Sequence, residues 1–345
     1  MMGSYEKINE ILEKYRREEF FPSAVCKVFD KDGELYAAAT GDVNTDTWYD
    51  MASVSKIICT TMNLFLMEEG RFTPDDKVLP LLPRGKCGPV TSERLRDVTV
   101  EQLMTHTSGI VPWFPFYSDG RDFYTVLERV LSSTPVEEGM AYSDLNFMLM
   151  GQIFCNISGL SLREGLDRYI KPITGDEIAY GPIDIENCAP SCCGNQIEQE
   201  MCAERGLSFD GWRQNGVAVK GSVNDGNAHY FWGGASGHAG IFATAGALVK
   251  LCQYYMNTDK PFFIRAMETD ICQRGLGFDK TVTFPEGCGH TGFTGTSIWF
   301  SRRYNVGAVL LTNKYFYNHP NHTNCNLPRR DIHYFLLGRP APTVV

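Results

Sequence analysis

The sequence predicts an α+β fold: one antiparallel sheet built from both ends of the chain and flanked by helices, with an all-α lobe inserted between its halves. Three observations point there. Ala24–Asp30 and Glu34–Thr40 are apolar runs on either side of Lys31, Asp32 and Gly33, and Asp-Gly between such runs signals a hairpin. Strand character returns only late, at Gly289–Phe300 and Val306–Thr312. Between these ends the pattern is helical and rich in loops. The division that follows is 1–70 with 258–345 for the sheet domain and 71–257 for the mainly helical lobe, with the active site between them.

In chain order, Ser4 to Phe20 carries Ile8, Leu12, Tyr15 and Phe20 at near-helical spacing, which predicts a helix laid on the rest of the protein. After the hairpin, Ile57, Ile58, Met62, Leu64, Phe65 and Leu66 form an apolar run of about four turns, a buried helix. Gly70 ends it, and Pro74, Pro80, Pro83 and Pro89 mark irregular chain. Further helices are expected at Val100–Met104, Phe123–Leu131, Asp144–Ile157, Leu162–Ile170, Asn195–Arg205 and Ala245–Met256. Asp331–Leu337 closes the chain as a helix.

The 345 residues, 43% of them hydrophobic, suffice for a substantial core, and a net charge of −9 without any compensating basic cluster argues against a nucleic-acid partner. No run reaches the roughly 18 apolar residues of a membrane span. Met1 to Phe21 carries five glutamates and no apolar block like that of a signal peptide, so a cytoplasmic location is expected unless a leader has been removed. Most of the twelve cysteines lie in apolar segments as small core residues. Cys188, Cys192, Cys193 and Cys202 cluster and could ligate a soft metal or form disulfides, but they lack paired Cys-x-x-Cys knuckles. Reduced thiols and no metal are the simpler reading.

Ser53 and Lys56 are the first chemical signal. Three positions apart at the start of a helix, a hydroxyl and an amine share a face, and a desolvated amine beside other cations can lose its proton and act as a base. The spacing recurs at Ser4 and Lys7 in a charged surface helix, so it is weak alone; the competing reading is a helix cap with Lys56 reaching outward to solvent. A second signal is Tyr142, in Ala141-Tyr-Ser-Asp144 just before an apolar helix, where a phenolate beside an ammonium could serve as base. Tyr117-Ser-Asp119 repeats the triplet but is followed by Gly120 and Arg121 instead of a helix. The third signal is the Gly- and Thr-rich strand Gly289–Ser297, holding His290, Thr291 and Gly292, since Gly in a strand marks close approach by ligand or backbone.

In this order the three motifs resemble the serine β-lactamase and penicillin-binding-protein superfamily, specifically its class C-like branch of esterases and D-amino-acid peptidases. Supporting segments are Leu103–Gly109, Gly234–Thr244 and Leu310–Asn313, so the resemblance covers nearly the whole chain. It implies a β-lactamase/transpeptidase-like fold and a serine hydrolase working through an acyl-enzyme, without a cofactor. Ser53 then corresponds to the nucleophile, Lys56 to its base partner and Tyr142 to the base that also protonates the leaving group. The backbone N–H groups of Ser53 and Phe293 correspond to the oxyanion hole. Asp144, His290, Thr291 and Gly292 correspond to the substrate-binding positions.

Two departures bear on substrate. The third motif usually opens with a lysine that helps hold a carboxylate, whereas His290 is largely neutral near pH 7. The second often ends in Asn, whereas ionised Asp144 can only accept hydrogen bonds. Both favour esters or small amides over β-lactams. The alternatives are a β-lactamase or D-alanyl-D-alanine carboxypeptidase, and a non-catalytic binding protein on the same fold. Small-molecule substrates are the expected partners. His106 and His238 read as loop-holding residues. The aromatic run Trp113, Phe114, Phe116 and Tyr117 fits an acyl pocket and packing between lobes about equally. Asn224, Asp225 and Asn227 lack the spaced oxygens of an EF-hand.

Overall fold

The computed structural model describes residues 5–317 and 323–342. Its main sheet has five antiparallel strands in the spatial order Glu34–Thr40, Ala24–Phe29, Val306–Thr312, Ser297–Ser301, Cys288–Thr291. The first hairpin is therefore joined to the last strands through the pairing of Ala24 with Thr312 and Phe29 with Gly307. Val306–Thr312 is buried along its whole length, which explains its unbroken apolar run.

One expected strand is two. Gly289–Phe300 breaks into Cys288–Thr291 and Ser297–Ser301 around a turn in which the Gly292 N–H donates to Thr296 O (2.7 Å) and the Gly295 N–H to Gly292 O (3.0 Å). Gly295 has φ +103°, a backbone setting that favours glycine. The third motif thus sits at a hairpin tip.

Helices cover both faces of the sheet. On one, Glu6–Arg17 and Asn326–Leu336 bury Ile8, Leu12 and Ile332 against Trp299 and Leu310, and the Tyr15 hydroxyl donates to Asp331 Oδ2 at 2.7 Å. The last helix starts five residues before its expected beginning, with Pro328 in the first turn, where a missing N–H costs nothing. Ser4 lies outside the described residues; Lys7 faces solvent and pairs with Glu10.

On the other face Ser55–Glu68 and Ala245–Asn257, the latter from the end of the 71–257 segment, join a core that continues through Leu103, Leu127 and Phe147 into the rest of that segment. That segment holds the expected helices, including Phe123–Ser133, Asp144–Ser158 and Gln196–Glu204. It is not all helical, however. Ile178–Tyr180 and Ile241–Ala243 pair beside Tyr49–Asp50, and Cys192–Cys193 pairs with Ala218–Val219. Strands of two or three residues are too short to leave a period in the sequence. Among the described residues no single helix is long and apolar enough to cross a membrane.

Candidate active site

Ser53 lies in a single tight turn, Ala52–Val54, that leads directly into the helix Ser55–Glu68. The turn is held from three sides. Asp50, fully buried, accepts from the Ala52 N–H (2.8 Å) and the Asn224 N–H (2.6 Å); burial pushes its carboxyl up to about 6 against the pull of those two bonds. From the hairpin tip, Thr294 Oγ1 donates to Asp50 O and Thr296 Oγ1 to Met51 O, at 2.8 and 2.9 Å. A Cβ on Gly292 would collide with Met51 O and Thr296 Oγ1. The close approach expected of this glycine is therefore to the backbone just before Ser53, and it sets Phe293 beside that residue. Ala52 takes φ +46°, a strained setting for a residue with a Cβ.

Lys56 does not reach solvent. It is fully buried, with Nζ 2.8 Å from Ser53 Oγ, 2.7 Å from Asp144 Oδ1 and 3.4 Å from the carbonyl oxygen of His238. Burial pushes its pKa down, but Asp144 and Tyr142 outweigh that and hold the amine above its ordinary range. This shift runs opposite to the loss of a proton that neighbouring cations would bring, because the nearest charge to Lys56 is the Asp144 carboxylate, which favours the ammonium. Asp144 opens the helix Asp144–Ser158, where a negative charge also suits the helix dipole.

Tyr142 is positioned by His106. His106 has φ +60°, its carbonyl accepts from the Ala141 N–H (3.0 Å), and its Nδ1 accepts from the Ser143 N–H (3.0 Å). The two rings lie 4.5 Å apart. Two cations face the Tyr142 ring, Lys56 at 4.9 Å and Arg274 at 5.4 Å. Arg274, nine-tenths buried and paired with Asp279 at 3.3 Å, sits in a Gly-rich loop with no distinguishing sequence signal.

The cavity in front of Ser53 measures about 280 Å³. Tyr142, Asp144, Thr291, Gly292 and Phe293 line it as expected; His290 does not. Its ring is buried 6.0 Å from that of Tyr142, with Nδ1 donating to the Thr291 carbonyl at 2.7 Å and Nε2 without a partner. Desolvation first, then Lys56 and Arg274, drives its pKa well below the usual value, so the ring is neutral. Here strand alternation decides: His290 and Thr291 point to opposite sides.

The far wall lies outside the three motifs, and of its residues only Trp113 was a pocket candidate in the sequence. It is formed by Trp113, Glu198, Met201, Asn224 and Asp225. Asp225 Oδ1 lies 2.9 Å from His238 Nε2, whose Nδ1 meets Ser236 Oγ at 2.8 Å, so His238 stands closer to the site than a loop-holding role implies. Asp144, Asp225 and His238 bring ligand-type atoms within 4.8 Å of one another, as a metal site would, but Lys56 Nζ already occupies Asp144 Oδ1 and supplies the positive charge there. Asn224 and Asn227 bond the protein itself, through Cys192 and Phe116. Of the aromatic run only Trp113 reaches the cavity; Phe116 is core, and Tyr117, from the repeated triplet, packs on Phe209, Trp212 and Tyr230. All twelve cysteines are free, and burial pushes the Cys188 and Cys192 thiols up to about 11.

A strained turn at the start of a buried helix thus brings a lysine onto the serine and sets both facing a tyrosine that precedes a second helix. The β-lactamase family profile matches residues 8–327, and the chain belongs to that family. A protein of Escherichia coli K12 carrying the provisional name D-alanyl-D-alanine carboxypeptidase is 28% identical over 331 residues, covering 82% of this chain and 73% of the relative. Two solved structures share the fold at a TM-score of 0.71. One is the octameric penicillin-binding protein homologue from Pyrococcus abyssi, at 17% identity over 97% of this chain and 77% of that one. The other is the D-alanine carboxypeptidase AmpC from Burkholderia cenocepacia, at 15% identity over 97% and 99%.

Proposed function

We propose that this β-lactamase-family serine hydrolase cleaves esters or small amides with Ser53 as the acylated residue. The observation that carries the reading is the Lys56 amine, buried and 2.8 Å from Ser53 Oγ, beside a cavity of about 280 Å³ that Ser53 lines. Ser53 Oγ attacks the carbonyl carbon while its proton passes to the oxygen of Tyr142, which acts as a phenolate and becomes the phenol. Tyr142 returns that proton to the departing alcohol or amine as the C–O or C–N bond breaks, and water then attacks the acyl ester by the reverse route. Lys56 donates to Ser53 Oγ and, with Arg274, keeps positive charge beside Tyr142 during the transfers. The N–H groups of Ser53 and Phe293 receive the oxyanion, one such donor being worth roughly 3 to 4 kcal/mol. Thr291 and Gly292 form the edge along which the substrate lies. No cofactor enters these steps.

The relatives' names favour a second reading, D-alanyl-D-alanine carboxypeptidase or β-lactamase. The cavity argues against it, because its described lining residues include no Lys, Arg or His to hold a substrate carboxylate. Ser53→Ala is expected to cut hydrolysis of short-chain aryl esters at least about a thousandfold and to abolish the mass shift produced by a fluorophosphonate. Normal activity in that variant refutes the assignment. Labelling by fluorescent penicillin with slow release would turn the reading toward the second; inertness toward every acylating probe would leave a binding protein.

A further inference from the structure

The carboxylates around the cavity are not equivalent. Asp144 is paired with Lys56 at 2.7 Å, and Asp225 with His238 at 2.9 Å. Glu198, in the first turn of Gln196–Glu204, lines the same cavity and also a narrower hollow of about 50 Å³ beside it, bounded by Cys192, Phe293 and Tyr315. Its contacts are neutral: Oε1 accepts from the Gly226 N–H at 2.8 Å and Oε2 from the Tyr117 hydroxyl at 3.2 Å. Among the described residues no Lys, Arg or His lies within ion-pair distance of it. Arg213 acts only from further off, its guanidinium bonded to Ser222 Oγ and Val223 O.

We propose that Glu198 selects the substrate, receiving a primary ammonium group on the acyl portion and so favouring amines over their acylated counterparts. The inference rests on Ser53 being the acylated residue: the leaving group must sit at Tyr142, which directs the acyl portion to the opposite wall. That wall suits a cation. Trp113 and Phe293 line the same cavity as the acid, Trp113 already carrying the Arg205 guanidinium 5.2 Å from its ring centre, and ammonium groups are attracted to aromatic faces as well as to carboxylates. Burial, together with the charge of Asp225, pushes the Glu198 carboxyl up to about 8, with Gly226, Tyr117 and Arg213 pulling the other way. An arriving ammonium relieves that cost by pairing with the carboxylate, whereas a substrate carboxylate would add to it.

The test compares glycyl, β-alanyl and 4-aminobutyryl 4-nitroanilides with their N-acetyl derivatives at pH 7.5. For at least one chain length the free amine is expected to lead in kcat/KM by about tenfold or more, and Glu198→Gln, which keeps size and an acceptor for Gly226, should bring that ratio to about one. Equal or better turnover of the acetylated partner at every length overturns the proposal, as does a preference that survives in Glu198→Gln. If no anilide is cleaved, calorimetry of the matching amino amides on Ser53→Ala decides. Saturable binding lost in Ser53→Ala/Glu198→Gln supports the ammonium site, and no binding refutes it. Phosphonate labelling of Ser53 reports the hydrolase reading separately.

Discussion

The floor of the cavity and its far wall handle charge in opposite ways. At the floor, the Lys56 ammonium is matched by Asp144, and His106 and His290, both neutral, fix their neighbours through Nδ1. Across the cavity Glu198 meets only an amide N–H and a phenol. A polar cluster whose charges are matched is rigid, and rigidity is what acyl transfer requires of its nucleophile and proton carrier. An acid held without a counterion is instead poised for whatever cation enters. The difference separates machinery common to many substrates from a surface that chooses among them.

The sharpest way to break this contrast is to unmatch the floor. Asp144→Ala leaves a buried ammonium uncompensated and is expected to lower unfolding free energy by about 3 kcal/mol in urea denaturation, with loss of ester turnover. An unchanged midpoint would mean that Lys56 is not held as an ammonium. Gly292→Ala tests the close approach behind Ser53: a Cβ pressed on Met51 O should cost about 2 kcal/mol of stability and displace the Ser53 turn, read as a fall in the rate of phosphonate labelling.

The neutral histidines give a pH signature of similar or smaller size. The folded pKa of His290 is depressed, so its contribution to stability is complete above its unfolded value near 6.5 and declines as pH falls below that. Stability measured for wild type and His290→Gln should therefore converge by up to about 2 kcal/mol between pH 7.5 and 5.0. A constant difference would show that folding leaves the pKa of the ring at its unfolded value. The smallest effect is expected at Phe293, whose ring is 45% exposed and stacked on Tyr315 while its N–H performs the proposed oxyanion role. Phe293→Ala should change KM for aryl esters a few-fold and leave kcat nearly constant; a collapse of kcat would assign the ring, not the amide, to the chemistry.

Much of this molecule is written in local pattern. Asp32-Gly33 between apolar runs announced the first hairpin, the run after Ser53 its buried helix, and three spaced motifs the family, because turn chemistry, periodicity and short motifs are all properties of neighbouring residues. The small strands at 178–180 and 192–193 were not legible, being shorter than any period.

The same boundary runs through the site. Sequence alone singled out Ser53, Lys56 and Tyr142 as a set and marked Asp144 and His290 as departures from what the family resemblance implies. Only tertiary structure decided what those groups do. Asp144 reaches across 88 positions to fix the charge on Lys56, strand alternation turns His290 behind Tyr142, and Glu198 arrives at the cavity from a helix with no motif of its own. Charge state and exposure are set by neighbours in space, through burial and Coulomb interaction, and those neighbours are distant in the chain.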